Sequence, residues 1–253
     1  MSPRQAVGTQ DPFRSDPFAE LIGESAAIER VRQALRALVG SAGPRSNVLL
    51  VGEAGTGKTL IAGLLARLGC HHAPQVAVNV ATLPNDRMLP GLVRAAQGGT
   101  IVIEEINQLH PTTQLALLKA IREPRARRQG PPTATSWIIS TTNMDPLAAL
   151  RHGQFRDDLY RRLATVFIAM PALRDRGSDV IKLAEWLVAG VCARHGRAVM
   201  PLTSNAEEWL TAYRWPGNVR QLTHLIERVV FCAADPHITA DMLDRSAQGA
   251  GRA

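Results

Sequence analysis

Gly52-Glu-Ala-Gly-Thr-Gly-Lys-Thr59 decides the fold, because these residues match the spacing G-x-x-x-x-G-K-S/T. The glycines let the backbone curl so that successive N–H groups point inward, an arrangement that binds phosphate groups. An apolar strand at 47–51 precedes the loop, and apolar residues at helical spacing follow it up to Gly69. The positive end of that helix dipole also attracts phosphate. The segment therefore predicts a nucleoside triphosphate site, with a chance glycine turn as the alternative.

Individual roles follow from this phosphate loop. Lys58 is expected to reach the β- and γ-phosphates, and Thr59 to bind a magnesium ion. The residues predicted to contact the nucleotide here are Gly52, Glu53, Ala54, Gly55, Thr56, Gly57, Lys58, Thr59 and Leu60.

Two carboxylates end the apolar segment Thr100-Ile-Val-Ile-Glu104, since Glu105 follows directly. A phosphate-loop enzyme uses one such carboxylate to hold the magnesium hydration shell and the other to orient an attacking water. We assign Glu104 to the metal and Glu105 to the water. A solvated acidic strand end is the alternative.

Five apolar segments alternate with helical patterns, which predicts a parallel sheet in a three-layer α/β sandwich. The predicted strands are 47–51, 76–80, 100–104, 136–143 and 166–170. Asn143, at the carboxyl end of the fourth strand, stands where ligands of parallel sheets gather, although an asparagine there is also a common turn residue.

The domain organisation follows from these patterns. We expect a flexible leader at 1–20, the α/β domain at 21–173, a small all-helical domain at 174–234 and a C-terminal tail at 235–253, disordered from about residue 246. The chain has 253 residues, 45% of them apolar and 20% charged, as in a soluble globular protein. No apolar run approaches the roughly 20 residues that span a bilayer, and no secretion signal is recognisable, so a cytoplasmic location without membrane contact is predicted.

A basic loop follows the helix that ends near residue 121, and the net charge of the chain is +7. These features permit contact with nucleic acid without requiring it. The arginines have no interleaved aromatic residues, so nucleic-acid binding is not favoured. They are Arg122, Arg125, Arg127 and Arg128.

Four motifs in this order resemble the central AAA+ domain of bacterial enhancer-binding proteins, the ATPases that activate sigma-54 RNA polymerase. The resemblance covers the chain from about Leu21 to Cys232. The motifs are the phosphate loop, Gly98-Gly-Thr-Ile-Val-Ile-Glu-Glu-Ile106, Gly153-Gln-Phe-Arg-Asp-Asp-Leu-Tyr-Arg-Arg-Leu163 and Trp215-Pro-Gly-Asn-Val-Arg-Gln-Leu222.

The resemblance implies that ATP and Mg²⁺ are the cofactors and that the helical domain is a lid. It places Ile22 and Gly23 along the adenine and Arg220 against the nucleotide from the lid. It implies that Asn79 switches the catalytic glutamate between resting and active positions, and that Asn143 is a sensor of the nucleotide.

Arg156 and Arg162 match two arginines that reach into the site of a neighbouring subunit and stabilise the transferring phosphoryl group. The resemblance therefore implies a ring, expected to be a hexamer. From the residues alone, these two arginines and Arg161 are as readily interpreted as a solvated helix face.

Departures from the family pattern limit what the resemblance implies. The loop sequence GAFTGA, which contacts the sigma factor in the family, does not occur between Asn79 and Gly98. Glu104 stands where the family usually has aspartate, which shifts the carboxylate by about one methylene and is expected to slow turnover. No receiver or sensory domain is expected before residue 21, and no helix-turn-helix after Ala234.

Three hypotheses follow. The chain is an ATPase of the sigma-54 activator type, acting in transcription regulation or partner remodelling without the usual sigma-contacting loop. Alternatively, it is a nucleotide-dependent regulatory subunit with little turnover that joins or antagonises a full-length activator. A nucleic-acid-binding role is the third hypothesis.

Overall fold

The computed structural model describes residues 16–40, 45–69, 74–96, 98–122, 136–233 and 235–248. Five strands form one parallel sheet in the order β2-β3-β4-β1-β5, which confirms the predicted sheet. The strands are β1 (Val48–Val51), β2 (Gln75–Asn79), β3 (Thr100–Glu104), β4 (Trp137–Thr142) and β5 (Val166–Ala169).

Helices cover both faces of the sheet, and further helices follow the last strand along the chain. The helices are α1 (Ala26–Gly40), α2 (Lys58–Leu68), α3 (Leu89–Ala95), α4 (Pro111–Arg122), α5 (Pro146–Arg151), α6 (Asp157–Leu163), α7 (Asp179–Arg194), α8 (Ser204–Ala212), α9 (Asn218–Cys232) and α10 (Ala240–Gln248). In the part of the chain that the structure describes, none of them is long and apolar enough to cross a membrane.

Alternate residues of β1 point to opposite faces of the sheet, which produces the three layers. Leu49 joins a buried cluster with residues of α3, α4 and α6. Val48 and Leu50 join a second cluster with residues of α1 and α2. The predicted α/β sandwich is therefore confirmed.

Helices α7 to α10 form a separate core, built around the fully buried Trp215. The prediction that a tail begins at residue 235 is wrong, because Ile238 and Leu243 are fully buried in this core. Helix α10 also includes Ser246, where disorder was expected. Its few apolar residues gave a periodicity too weak to recognise, and its burial depends on packing against α8 and α9.

The predicted leader is wrong for its last residues, because Phe18 is fully buried in the cluster beneath α1. The Phe18 backbone N–H donates to Asp16 Oδ1 at 3.1 Å, and Asp16 pairs with Arg36 at 2.6 Å. Residues 1–15 lie outside the described part of the chain.

The connection from β2 to β3 is short and mostly helical. It consists of two turns of 3₁₀ helix, at Val80–Thr82 and Asp86–Met88, followed by α3. Leu89 and Val93 of α3 pack into the sheet cluster. Helix α3 therefore anchors this connection to the domain, while the two 3₁₀ turns before it are mostly exposed.

Candidate functional site

The phosphate loop connects β1 to α2, and α2 begins at Lys58. The Lys58 side chain is almost fully buried, and its ammonium donates to the carbonyl oxygens of Gly52 at 2.7 Å and Glu53 at 2.9 Å. Burial lowers the pKa of Lys58, whereas the charges of Glu105 and Glu104 act in the opposite direction. The sheet therefore brings the predicted lysine and both predicted carboxylates together.

Glu105 has a strained backbone, with φ of 57° in the left-handed region. Its N–H donates to Thr141 Oγ1 at 3.3 Å, which ties it to β4. Its Oε2 is buried and has no hydrogen-bond partner among the described residues. A buried carboxylate oxygen without a partner is suited to accept a hydrogen bond from a water or a ligand.

Asn79 lies opposite Glu104 in the register of β2 and β3. Its Nδ2 donates to Glu104 Oε2 at 3.4 Å, and its Oδ1 accepts from Ala81 N–H at 2.9 Å. The resemblance implied that this asparagine acts on the catalytic glutamate, for which Glu105 was the candidate. The structure pairs it with the carboxylate assigned to the metal, because the register places those two residues side by side.

The carboxyl end of β4 closes the other side of the loop. Gly52 N–H donates to Thr142 O at 3.3 Å, and Asn143 follows with an exposed side chain. Thr59 and Leu60, in the first turn of α2, are exposed as well. The hydroxyl of Thr59 and the carboxylate of Glu104 are hard oxygen donors of the kind that Mg²⁺ prefers, so the residues present fit that ion.

The segment predicted to line the adenine is held by the lid. Ile22 packs against the lid core, and Gly23 has φ of 134°. The buried Asp179 accepts from Glu24 N–H at 2.7 Å and from Ser25 N–H at 3.0 Å. A Cβ on Gly23 would lie 2.5 Å from Asp179 Oδ2, so a larger residue would push the two apart.

The lid also contacts the phosphate loop directly. Arg176 is 2% exposed, and its Nη2 donates to Thr56 O at 2.7 Å and to Pro171 O at 3.0 Å. Burial lowers the pKa of Arg176 to about 10, so the guanidinium remains charged at neutral pH. Gly55 has φ of 79°, and a Cβ there would lie 3.0 Å from Arg220 Cβ. Arg220 therefore leaves α9 directly above the loop.

Arg156 and Arg162 lie on the surface, at the start and in the last turn of α6. Arg156 donates to both carboxylate oxygens of Asp158, at 3.0 and 2.9 Å, and this contact raises the pKa of Arg156. Arg161 pairs with Asp157 at 2.7 Å. The side chain of Gln114 positions this segment, because its Oε1 accepts from Arg156 N–H at 2.9 Å.

Of the arginines in the predicted basic loop, the structure describes one. Arg122 is exposed at the end of α4. The other three residues of that prediction, Arg125, Arg127 and Arg128, lie outside the described residues.

Sequence reasoning missed Arg176 and Asp179 and gave Asn218 no role at the site. Arg176 and Asp179 contact segments 120 and 155 residues away, so no local pattern reveals them. The available signal was their position, at the junction of the two domains and at the start of α7. Asn218 lies within the fourth motif, in which the resemblance implied a role for Arg220 alone.

Two family models match the chain. The sigma-54 interaction domain matches residues 22–173, and the AAA+ ATPase lid domain matches residues 174–253. The second match includes α10, in agreement with its place in the lid core.

Curated relatives are similar over most of the chain. The nitrogen fixation protein AnfA of Azotobacter vinelandii is 32% identical, over 91% of this chain and 47% of AnfA. The nitric oxide reductase transcription regulator NorR2 of Cupriavidus necator is 36% identical, over 86% of this chain and 46% of NorR2. The chain thus spans about half the length of the curated relatives it matches.

Solved structures share the fold. NtrX of Brucella abortus in complex with ATP is 28% identical with a TM-score of 0.76, over 88% of this chain and 53% of that chain. The Holliday junction branch migration motor RuvB of Thermotoga maritima has a TM-score of 0.63 at 18% identity, over 93% of this chain and 72% of that chain, and shows the fold alone. With a sigma-54 interaction domain over more than half of its length and an AAA+ lid behind it, the chain belongs to the sigma-54 activator family of AAA+ ATPase domains.

Proposed function

We propose that the chain binds ATP with magnesium and hydrolyses the γ-phosphate at a site completed by a neighbouring subunit. The observation that carries this proposal is the buried Lys58 beside two carboxylates, one of which has a buried oxygen with no hydrogen-bond partner in the described part of the chain. The related NtrX, which has the same fold, is described in complex with ATP.

Lys58 is the group that meets the phosphates. Its ammonium now donates to two carbonyl oxygens of its own loop, and a triphosphate offers it stronger, charged acceptors. Thr59 and Glu104 would hold the magnesium ion, which neutralises the charge that develops on the phosphates. Glu105 orients the attacking water through its unpartnered oxygen, and Asn143 contacts the γ-phosphate side from the end of β4.

The second half of the site comes from another subunit. Arg156 and Arg162 are exposed on α6, where a neighbouring copy can reach them. Their charge would stabilise the transferring phosphoryl group in that neighbour's site. This arrangement requires a ring, and we propose a hexamer, in which Arg220 contacts the nucleotide from the lid of the same chain.

The work done by the ring is transcription regulation or partner remodelling that does not use the usual sigma-contacting loop. The support is the connection from β2 to β3, which does not contain GAFTGA and is anchored to the sheet cluster through Leu89 and Val93 of α3. The same segment favours a second candidate function, a regulatory subunit with little turnover that joins or antagonises a full-length activator.

Turnover measured across protein concentration, together with the mass of the assembly, tests the proposal. ATP hydrolysis per chain is expected to rise in parallel with the assembled fraction, because each site needs two subunits. Lys58→Ala is expected to abolish nucleotide binding, whereas Lys119→Ala, at an exposed lysine of α4, retains it. Nucleotide binding without turnover at any concentration would replace the enzymatic proposal with the regulatory one.

A further inference from the structure

The side chain of Asn218 joins the lid to the phosphate loop. It is fully buried, at a residue whose φ of 50° lies in the left-handed region that asparagine tolerates. Its Oδ1 accepts from Leu173 N–H at 2.8 Å, and its Nδ2 donates to Ala54 O at 3.0 Å and Glu53 Oε2 at 3.1 Å. One amide group thus connects the lid helix, the interdomain linker and the loop.

The backbone around Asn218 touches the same loop. Val219 N–H, in the first turn of α9, donates to Gly55 O at 2.9 Å and so finds a partner that the helix cannot supply. A Cβ on Gly55 would lie only 2.3 Å from Gly217 O, so only glycine permits this approach. The contact is therefore built from loop and lid together.

A charged pair reinforces the contact from the solvent side. Arg174, in the linker, donates to Glu53 Oε2 at 2.9 Å. Hydrogen bonds from Arg174 and Asn218 lower the pKa of Glu53 to about 2, which keeps the carboxylate ionised at neutral pH. Both side chains of the pair are partly exposed, so the buried amide is the stronger link.

The bonds from the lid engage the carbonyl oxygens of Ala54 and Gly55 and none of the loop N–H groups among the described residues. In a trans peptide the N–H points away from the carbonyl, so fixing Ala54 O and Gly55 O toward the lid turns the N–H groups of Gly55 and Thr56 to the opposite side of the loop. Thr56 N–H makes only a long bond there, to Glu53 O at 3.4 Å, and a charged phosphate oxygen is a stronger acceptor. Phosphate oxygens bind to the N–H groups of such loops. Lid contact and phosphate binding therefore support each other.

We propose that Asn218 is a positioning residue of the nucleotide site: it holds the phosphate loop in its binding conformation and places Arg220 of the lid above that loop. The proposal rests on the proposed function, since it assigns a role at the same site. It predicts that nucleotide affinity and lid position are coupled through this one amide.

The test uses ADP, whose binding requires no turnover, measured by calorimetry on the full chain. Asn218→Ala is expected to weaken ADP binding about tenfold to a hundredfold, the effect of losing two or more buried hydrogen bonds. Asn205→Ala, at an exposed lid asparagine that bonds within the lid, serves as the matched control with unchanged affinity. Hydrogen exchange adds a second measurement: ADP slows exchange at Val219 N–H in the unaltered chain but not in Asn218→Ala.

A paired substitution separates positioning from general destabilisation. Asn218→Asp alone places a second carboxylate beside that of Glu53, and the two repel each other. Adding Glu53→Gln restores the hydrogen bond between positions 53 and 218, with the donor now at position 53 and the acceptor at position 218. The pair is expected to recover part of the lost affinity. If Asn218→Ala fails to fold, the paired variant and Glu53→Ala test the positioning role instead. Glu53→Ala is expected to weaken ADP binding severalfold.

Wild-type affinity in Asn218→Ala, or in Glu53→Ala where Asn218→Ala does not fold, would overturn the positioning role while leaving the proposed function intact. Equal affinity in the single and paired variants would overturn it as well. A failure of the unaltered chain to bind ADP would overturn both proposals.

Discussion

The proposed intersubunit site has two walls, one on the lid and one on α6 of the neighbouring subunit, and they are built in opposite ways. On the lid side, Arg176 and Asn218 are almost fully buried and hydrogen-bonded to the phosphate loop. On the α6 side, the Arg156 side chain is 44% exposed and pairs with Asp158, two residues away. The difference teaches that one chain by itself fixes the wall that holds the loop, whereas the α6 arginines are exposed and bonded only locally, as the proposed action on a neighbouring subunit requires.

Removing an arginine from the exposed wall has the largest expected effect. Arg156→Ala is expected to lower ATP turnover about a thousandfold, because an arginine that acts on the transferring phosphoryl group contributes at least that much. ATP affinity is expected to stay the same, since Arg156 does not contact its own phosphate loop. Arg161→Ala, at the neighbouring exposed arginine, is the control. ATP turnover that survives in Arg156→Ala would show that Arg156 does not act on the transferring phosphoryl group.

The lid side of the site depends on the lid core, which Leu243 of α10 helps to form. Leu243→Ala is expected to lower the free energy of unfolding by about 3 kcal/mol, because it leaves a cavity in a fully buried position. Denaturant unfolding measures the change, and Asp244→Ala, at the exposed neighbouring residue, is expected to have little effect. An unchanged stability in Leu243→Ala would mean that α10 does not pack against the lid.

The ion pair between Glu53 and Arg174, on the lid side of the site, predicts that the stability of the chain depends on pH. The pKa of Glu53 is lowered in the folded chain to about 2, so its stabilising contribution is present above the ordinary value of 4.5 and is lost as pH falls toward 2. Glu53→Gln is expected to be less stable than the unaltered chain at pH 7 by less than about 1 kcal/mol, because the pair is partly exposed. That difference in unfolding free energy narrows between pH 4.5 and 2. A difference that stays constant with pH would exclude the ion pair as its source.

The smallest effect concerns Asn79, at the end of β2 beside Glu104. Because its bond to Glu104 is long, at 3.4 Å, Asn79→Ala is expected to change the magnesium concentration for half-maximal nucleotide binding only about twofold to threefold. Asn85→Ala, at an exposed asparagine of the same connection, is the control. An effect confined to the rate of hydrolysis would instead point to Glu105 as the partner of Asn79.

The sequence predicts the sheet and most of the lid because these elements carry strong local patterns. Apolar runs such as Val48–Val51 and the helical spacing of Leu222, Leu225 and Val229 need no tertiary information. Helix α10 and Phe18 have no such pattern, and only their contacts in the folded chain explain their burial.

The site residues also differ in whether a local sequence pattern identifies them. Lys58, Thr59 and the two carboxylates are recognisable because the phosphate loop and the end of β3 are contiguous in sequence. Arg176 and Asp179 act through backbone groups of distant segments, which one sequence cannot reveal. The pairing of Asn79 with Glu104 depends on strand register, which the apolar pattern of the two strands did not specify.

Mixing two inactive variants tests the shared site most directly. Lys58→Ala lacks the lysine that binds the phosphates, and Arg156→Ala lacks the arginine that acts in the neighbouring subunit's site. Neither variant is therefore expected to hydrolyse ATP alone. In a mixed ring, an intact Lys58 site can receive an intact Arg156 from the adjacent subunit, and we predict that turnover reappears on mixing. No recovery, in mixtures whose measured mass shows co-assembly, would contradict a site completed between subunits.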